Sequence, residues 1–226
     1  RNQPCAAGST LLPVTGRHPS SLLVFARLPR PGRVKTRLIP ALGTHGATRL
    51  YSHLLERTLS TAARLQDTAL QFWCDPAGEA PDACGEFARR FGMTCHLQAG
   101  EDLGSRMLHA LETALEGSDA AVLIGSDCPD LDSNYLARAF ASLADHDVVI
   151  GPADDGGYML IGMKRAQPRL FDPLPWGTPD VLDQTRRRLT ETGCRWAELP
   201  TLRDIDQPED LAHFPELAEI AGATAP

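Results

Sequence analysis

Short apolar runs of strand length alternate along this chain with longer segments whose apolar residues recur at helical spacing. Residues 21–26, 69–74, 94–97, 120–125, 147–150, 158–161 and 195–199 read as strands, and residues 44–65, 83–91, 103–115, 133–143 and 179–190 as helices. In residues 44–65, Leu50, Leu54, Leu55 and Leu59 share one face. A last helix is predicted to begin at Pro208, where a missing N–H costs nothing. Alternation of this kind admits few architectures. It predicts an α/β fold of three layers, with a mostly parallel central sheet covered by helices on both faces.

At 226 residues the chain has room for one full core, predicted over residues 21–226. Residues 1–20 show no periodic pattern and read as a flexible N-terminal lead. The net charge of -7 argues against nucleic acid as a partner, because a phosphate backbone demands a basic face. No stretch is long and apolar enough for a membrane span. Six cysteines stand without C-x-x-C or zinc spacing, several in apolar contexts, and read as reduced core thiols of a cytoplasmic protein.

Chemistry concentrates where strands end. Residues 120–131, AAVLIGSDCPDL, run from an apolar strand into Asp127 and Asp130. The carboxyl end of a parallel strand is where α/β sheets bind ligands, and a carboxylate there suits Mg²⁺ or Mn²⁺ carrying a diphosphate. An ordinary strand-to-turn junction would use the same residues. The loop after the first strand carries Arg27, Arg30, Arg33, Lys35 and Arg37, with Gly32 among them. Guanidinium forks and an ammonium suit phosphate oxygens, and glycine lets backbone come close. The alternative is a solvated basic loop, and it is not a Walker loop.

Three further clusters carry paired readings. Asp206, in the acidic turn from Asp204 to Asp210, is either a helix cap or a second metal ligand facing Asp127. Asp154, Asp155, Gly156, Gly157 and Tyr158 form a tight turn, or a turn that faces substrate. Leu103, Gly104 and Arg106 lie at a helix entry capped near Asp102, or against a base or ribose.

Six blocks in this order resemble the bacterial DUF2064 proteins, some of them labelled arsenosugar-biosynthesis glycosyltransferases, within the nucleotide-diphospho-sugar transferase superfamily. The blocks are FARLPRPGRVKTRL, DLGSRM, LIGSDCPDL, GPADDGGYMLIGM, PWGTPDVL and DIDQPEDL, spanning about residues 22–211. The resemblance implies a Rossmann-like GT-A fold. It implies that Lys35 and Arg37 meet nucleotide phosphates, with Ala26, Arg27, Gly32, Leu103, Gly104 and Arg106 around the nucleotide. Asp127 would be the metal-binding acid of the DxD-like position, with Asp206 completing the site. The turn from Asp154 to Tyr158, with Trp176, would face a sugar or acceptor. Arg27, Ser105, Cys128, Gly177 and Gln207 depart from residues common in the family, and none of these departures removes a proposed ligand.

Three functions follow as expectations. The first is a metal-dependent glycosyltransferase using a nucleotide-diphospho-sugar and a small-molecule acceptor, with Asp127, Asp155 and Lys35 at the chemistry. The second is a nucleotidyltransferase, similar to guanylyltransferases of this fold, in which a phosphorylated acceptor attacks a nucleoside triphosphate and pyrophosphate leaves. The third is a non-catalytic nucleotide-binding module.

Overall fold

The computed structural model describes residues 18–78 and 81–222. The predicted lead therefore falls mostly outside the described residues. Its last three belong to the fold: the His18 N–H donates to the Gly117 carbonyl at 2.9 Å, and Ser20 begins a strand.

The strands are β1 (Ser20–Ala26), β2 (Thr68–Cys74), β3 (Thr94–Leu97), β4 (Ala121–Ile124), β5 (Val148–Pro152), β6 (Tyr158–Met163) and β7 (Trp196–Glu198). The helices are α1 (Ile39–Ala62), α2 (Pro81–Arg89), α3 (Leu103–Gly117), α4 (Ser133–Asp145), α5 (Val181–Thr192) and α6 (Pro215–Ala221). One seven-stranded sheet runs in the order β3-β2-β1-β4-β6-β5-β7. All neighbours pair parallel except β6, which is antiparallel to both β4 and β5. This is the three-layer, mostly parallel α/β architecture.

Strand periodicity builds the layers. Successive side chains of a strand point to opposite faces. On β1, Leu22, Val24 and Ala26 join a core with Leu55 and Leu59 of α1 and Leu136 of α4. Leu23 and Phe25 face the other way, onto Met107 and Leu111 of α3 and Leu182 of α5. A third cluster seats Leu38, Leu50 and Leu54 against Ile205, Leu211, Phe214 and Leu217. It holds the last part of the described chain against α1, beside the basic loop.

Three details differ from the expectations. Helix α1 begins at Ile39 rather than residue 44, but it breaks at Gly43 (φ 69°), so the regular helix still starts near Thr44. The terminal helix is split. Pro208–His213 form a 3-10 turn, Phe214 leaves helical geometry before Pro215, and α6 follows. The cysteines are not all free. Cys74 ends β2 and Cys84 lies in α2, which folds back over it, and the two fully buried residues are joined as a disulfide. Cys95, Cys128 and Cys194 are unpaired thiols, and Cys5 lies outside the described residues. Among the described residues no helix is long and apolar enough to cross a membrane.

This topology decides where a site can form. From β1 the chain passes to β2 on one side, while β4 pairs on the other. The loops leaving β1 and β4 therefore diverge at a topological switch point, which is where such sheets open a crevice. Because β6 reverses, β5 runs parallel to β4, and the β5–β6 turn comes to the same rim.

Candidate active site

The basic loop and the acidic strand tip meet at that rim. Lys35 adopts a left-handed backbone conformation (φ 46°, ψ 44°), uncommon for a residue with a Cβ and an indication of local strain. Its side chain is only 3% exposed. The ammonium lies 3.1 Å from Asp127 Oδ1 and 3.6 Å from Asp206 Oδ1. Arg37 binds the other oxygen of Asp206. A buried ammonium needs counter-charge, and two carboxylates 79 residues apart in sequence supply it.

Local hydrogen bonds release Asp206 for this role. The cap of the 3-10 turn is served by Asp210, whose Oδ2 accepts the N–H groups of Asp206 (2.9 Å) and Gln207 (2.7 Å). The neighbouring Ile205 N–H donates to the Asp127 carbonyl at 3.1 Å, fixing the two acidic segments side by side. Ile205 itself is fully buried.

A cleft of about 510 Å³ opens over these groups, lined by Arg27, Arg33, Lys35, Arg37 and Arg106 and by Asp75, Asp127 and Asp206. Five cationic side chains against three carboxylates leave a positive excess. The opposite wall is tied by Asp75, the residue after β2. Its Oδ2 accepts from Arg27 Nε at 2.8 Å, and Arg106 Nη1 lies 3.6 Å from Oδ1. Burial alone would raise the Asp75 pKa. The Ala77 N–H and the Arg27 guanidinium outweigh it and hold this carboxyl below the usual range. Arg106 is held in turn by the Gly100 carbonyl at 3.2 Å. Helix α3 enters here through a capping box between Asp102 and Ser105.

A smaller compartment of about 220 Å³ adjoins the cleft, and the two share Leu103, Gly125 and Asp127. Asp155, Gly157, Tyr158, Trp176 and Asp204 complete much of its wall. Trp176 stands edge-on to Tyr158, with ring centroids 6.3 Å apart. A Cβ on Gly104 would come within 2.6 Å of the indole, so only glycine admits this packing. Gly156 (φ 88°) turns the chain so closely against Pro179 that a Cβ would lie 2.3 Å from its carbonyl oxygen. Asp155 Oδ1 accepts the Gly157 N–H at 2.8 Å and squares the turn. Asp204 is pushed up to about 6, by burial first and then by the negative charges of Asp155 and Asp127, with Lys35 opposing.

Most of the residues singled out in the sequence converge here. Ala26, Arg27, Lys35, Arg37, Leu103, Arg106, Asp127 and Asp206 line the cleft, and Asp155, Gly157, Tyr158 and Trp176 line the compartment. Four residues do not line either space. Gly32 sits in a side recess with Leu28 and Ala77, and Gly104 and Gly156 serve packing. Asp154 pairs with Arg203 at 2.5 Å. Asp75 and Asp204 belong to the site and were not among the residues singled out. Asp75 shares the signal that marked Asp127, an acid immediately after an apolar strand.

The donors fit a hard divalent cation. Asp127 Oδ1 is buried with the Lys35 ammonium as its one partner among the described residues, and an Asp206 oxygen converges on the same ammonium. Among the described residues no group of three His, Cys, Asp or Glu comes together as a metal cluster. A pair of carboxylates is nonetheless what Mg²⁺ uses when phosphates and water supply the rest.

The chain is similar to known proteins along most of its length. The sequence family DUF2064, described as uncharacterized protein conserved in bacteria, matches residues 58–178. A protein of Desulfovibrio desulfuricans G20, provisionally named a nucleotide-diphospho-sugar transferase, is 36% identical. Its match covers 89% of this chain and 88% of that one, with a TM-score of 0.82. The 4-diphosphocytidyl-2C-methyl-D-erythritol synthase of Anaerococcus prevotii (11% identity, 88% and 96% covered, TM-score 0.59) shares the fold. So does a CMP:2-keto-3-deoxy-manno-octonic acid synthetase complexed with CTP (14%, 88% and 98%, 0.54). A search of curated protein sequences found no significant match.

Proposed function

The chain belongs to the DUF2064 family, and from that premise we propose that it is a metal-dependent transferase that moves a glycosyl group from a nucleotide-diphospho-sugar to a small acceptor. The observation that carries this reading is the buried Lys35 ammonium bridging Asp127 and Asp206 at the base of a net-positive cleft. The name of the Desulfovibrio protein agrees with it.

Each group has a part in the proposed reaction. Arg37 and Arg106 bind phosphate oxygens, and Arg27 is pre-set by Asp75 on the facing wall. Asp127 and Asp206 would hold a divalent cation, which neutralises charge on a departing diphosphate. Lys35, freed from part of its present pairing, adds positive charge at the same place. The acceptor stands in the adjoining compartment, where Asp155 orients its hydroxyl and takes the proton. The acceptor oxygen bonds to the anomeric carbon, the bond from that carbon to the diphosphate oxygen breaks, and a nucleoside diphosphate leaves.

A thermal-shift screen of nucleoside diphosphates, triphosphates and nucleotide sugars, each with Mn²⁺ or EDTA, tests this. The expected result is stabilisation by a nucleotide sugar that depends on Mn²⁺, followed by nucleoside diphosphate release. The excess of cationic side chains in the cleft also favours a second reading, nucleotidyl transfer from a triphosphate. Pyrophosphate release from a nucleoside triphosphate would decide for it.

A further inference from the structure

We infer that the acceptor is a neutral or cationic hydroxyl compound with an apolar face, and that anionic, phosphorylated acceptors are rejected. This rests on the transferase reading above and specifies the acceptor's chemical class. The two adjoining spaces differ sharply in lining. The cleft holds the five cationic side chains, whereas among the described residues no Lys, Arg or His lines the compartment. Its charged groups are the carboxylates of Asp127, Asp155 and Asp204.

Two cations of adjoining segments are paired with carboxylates in this structure. Lys35 is engaged by Asp127 and Asp206, and Arg203 by Asp154. A phosphate placed in the compartment beyond the proposed cation at Asp127 would face Asp155 and Asp204 with no cationic side chain in the described wall to answer it, and like charges brought together disfavour binding. The remaining wall is apolar, built from Leu103, Met107, Met159 and the Trp176 indole. Rejection through unanswered charge is a means of specificity distinct from added contacts. A ring with one apolar face could lie on the indole while its hydroxyl reaches Asp155. An ammonium group would gain from the carboxylates and from the aromatic face.

Three probes on one skeleton test the inference: 4-methylbenzyl alcohol, 4-(aminomethyl)benzyl alcohol and 4-(hydroxymethyl)benzoate. Their affinities are measured at pH 8 by ligand-observed NMR on the full chain in the presence of UDP and Mn²⁺. The amine is expected to bind roughly tenfold tighter than the carboxylate, with the neutral probe between them. Asp155→Asn should narrow that ratio. Thr178→Lys, which puts a cation into the wall, should reverse it, and this second variant keeps the test open if the first folds poorly. The inference is overturned if the carboxylate binds as tightly as the amine. It is equally overturned if neither variant changes the ratio, or if no probe binds. Stabilisation by UDP and Mn²⁺, read on the same samples, reports on the phosphate cleft separately. Loss of that signal alone counts against the transferase reading, and loss of charge selection alone counts against the acceptor class.

Discussion

Lys35 and Asp127 come from loops at adjacent strand ends and meet at 3.1 Å, with the lysine side chain almost wholly enclosed. The pair costs strain at residue 35, whose backbone is left-handed. Strain of that sort, of the order of 1–3 kcal/mol, persists where the surrounding structure over-determines it.

Replacing Lys35 by Met keeps most of the side-chain volume and removes the charge. Asp127 then loses its cationic partner, and Asp206 keeps only Arg37. Stability should fall by roughly 1–3 kcal/mol, as for other losses of one partner from a poorly solvated pair. Urea unfolding measures it, and Mn²⁺ should restore more stability to this variant than to the parent.

Asp127→Asn removes one formal charge and little volume. In the parent, a nucleotide ligand at 100 times its dissociation constant should add about 2.7 kcal/mol, or roughly 5–10 °C in Tm for a chain of this size. The Mn²⁺-dependent part of that shift should vanish in the variant. An unchanged Mn²⁺-dependent shift would remove Asp127 from the metal site.

Asp204 is held above its ordinary value, at about 6. Between about pH 4 and 6 the unfolded chain has lost this proton while the folded chain retains it, so this residue makes stability fall as pH rises through that window. Above it the ionised carboxylate is a constant penalty. Asp204→Asn, compared with the parent in EDTA, should therefore raise Tm at pH 8, by about 2 °C, and have a smaller effect at pH 4.

Gly156→Ala sets a Cβ 2.3 Å from the Pro179 carbonyl oxygen at a residue with φ 88°. A cost of roughly 1–3 kcal/mol is expected. Because the turn carries Asp155, turnover at a fixed donor concentration should fall at temperatures where circular dichroism still reports a folded chain.

Much of this arrangement could be read from the residues. Apolar runs ending in acid or basic clusters marked β1 and β4, and their carboxyl ends do adjoin. The direction of β6 could not be read, since YMLIGM is buried along nearly its whole length like the parallel strands beside it. Pairing alone reverses it. The sequence leaves capping open to Asp206, and the structure gives that role to Asp210. Asp75 follows an apolar strand as Asp127 does, but its part in the site depends on Arg27 and Arg106, both far away in sequence. The joined Cys74 and Cys84 had no framework spacing to announce them. Asp154 and Asp155 look equivalent in the sequence, yet only one lines the compartment.

The main-chain bond from Ile205 to Asp127 has a bearing on biosynthesis. A ribosome releases the strand tip with Asp127 long before it makes Ile205 and Asp206. A nascent chain can thus complete most of its sheet while the cleft still lacks a wall. That wall arrives late, and a protease cut ahead of residue 205 would remove Asp206 together with the apolar residues that cover Leu38, Leu50 and Leu54.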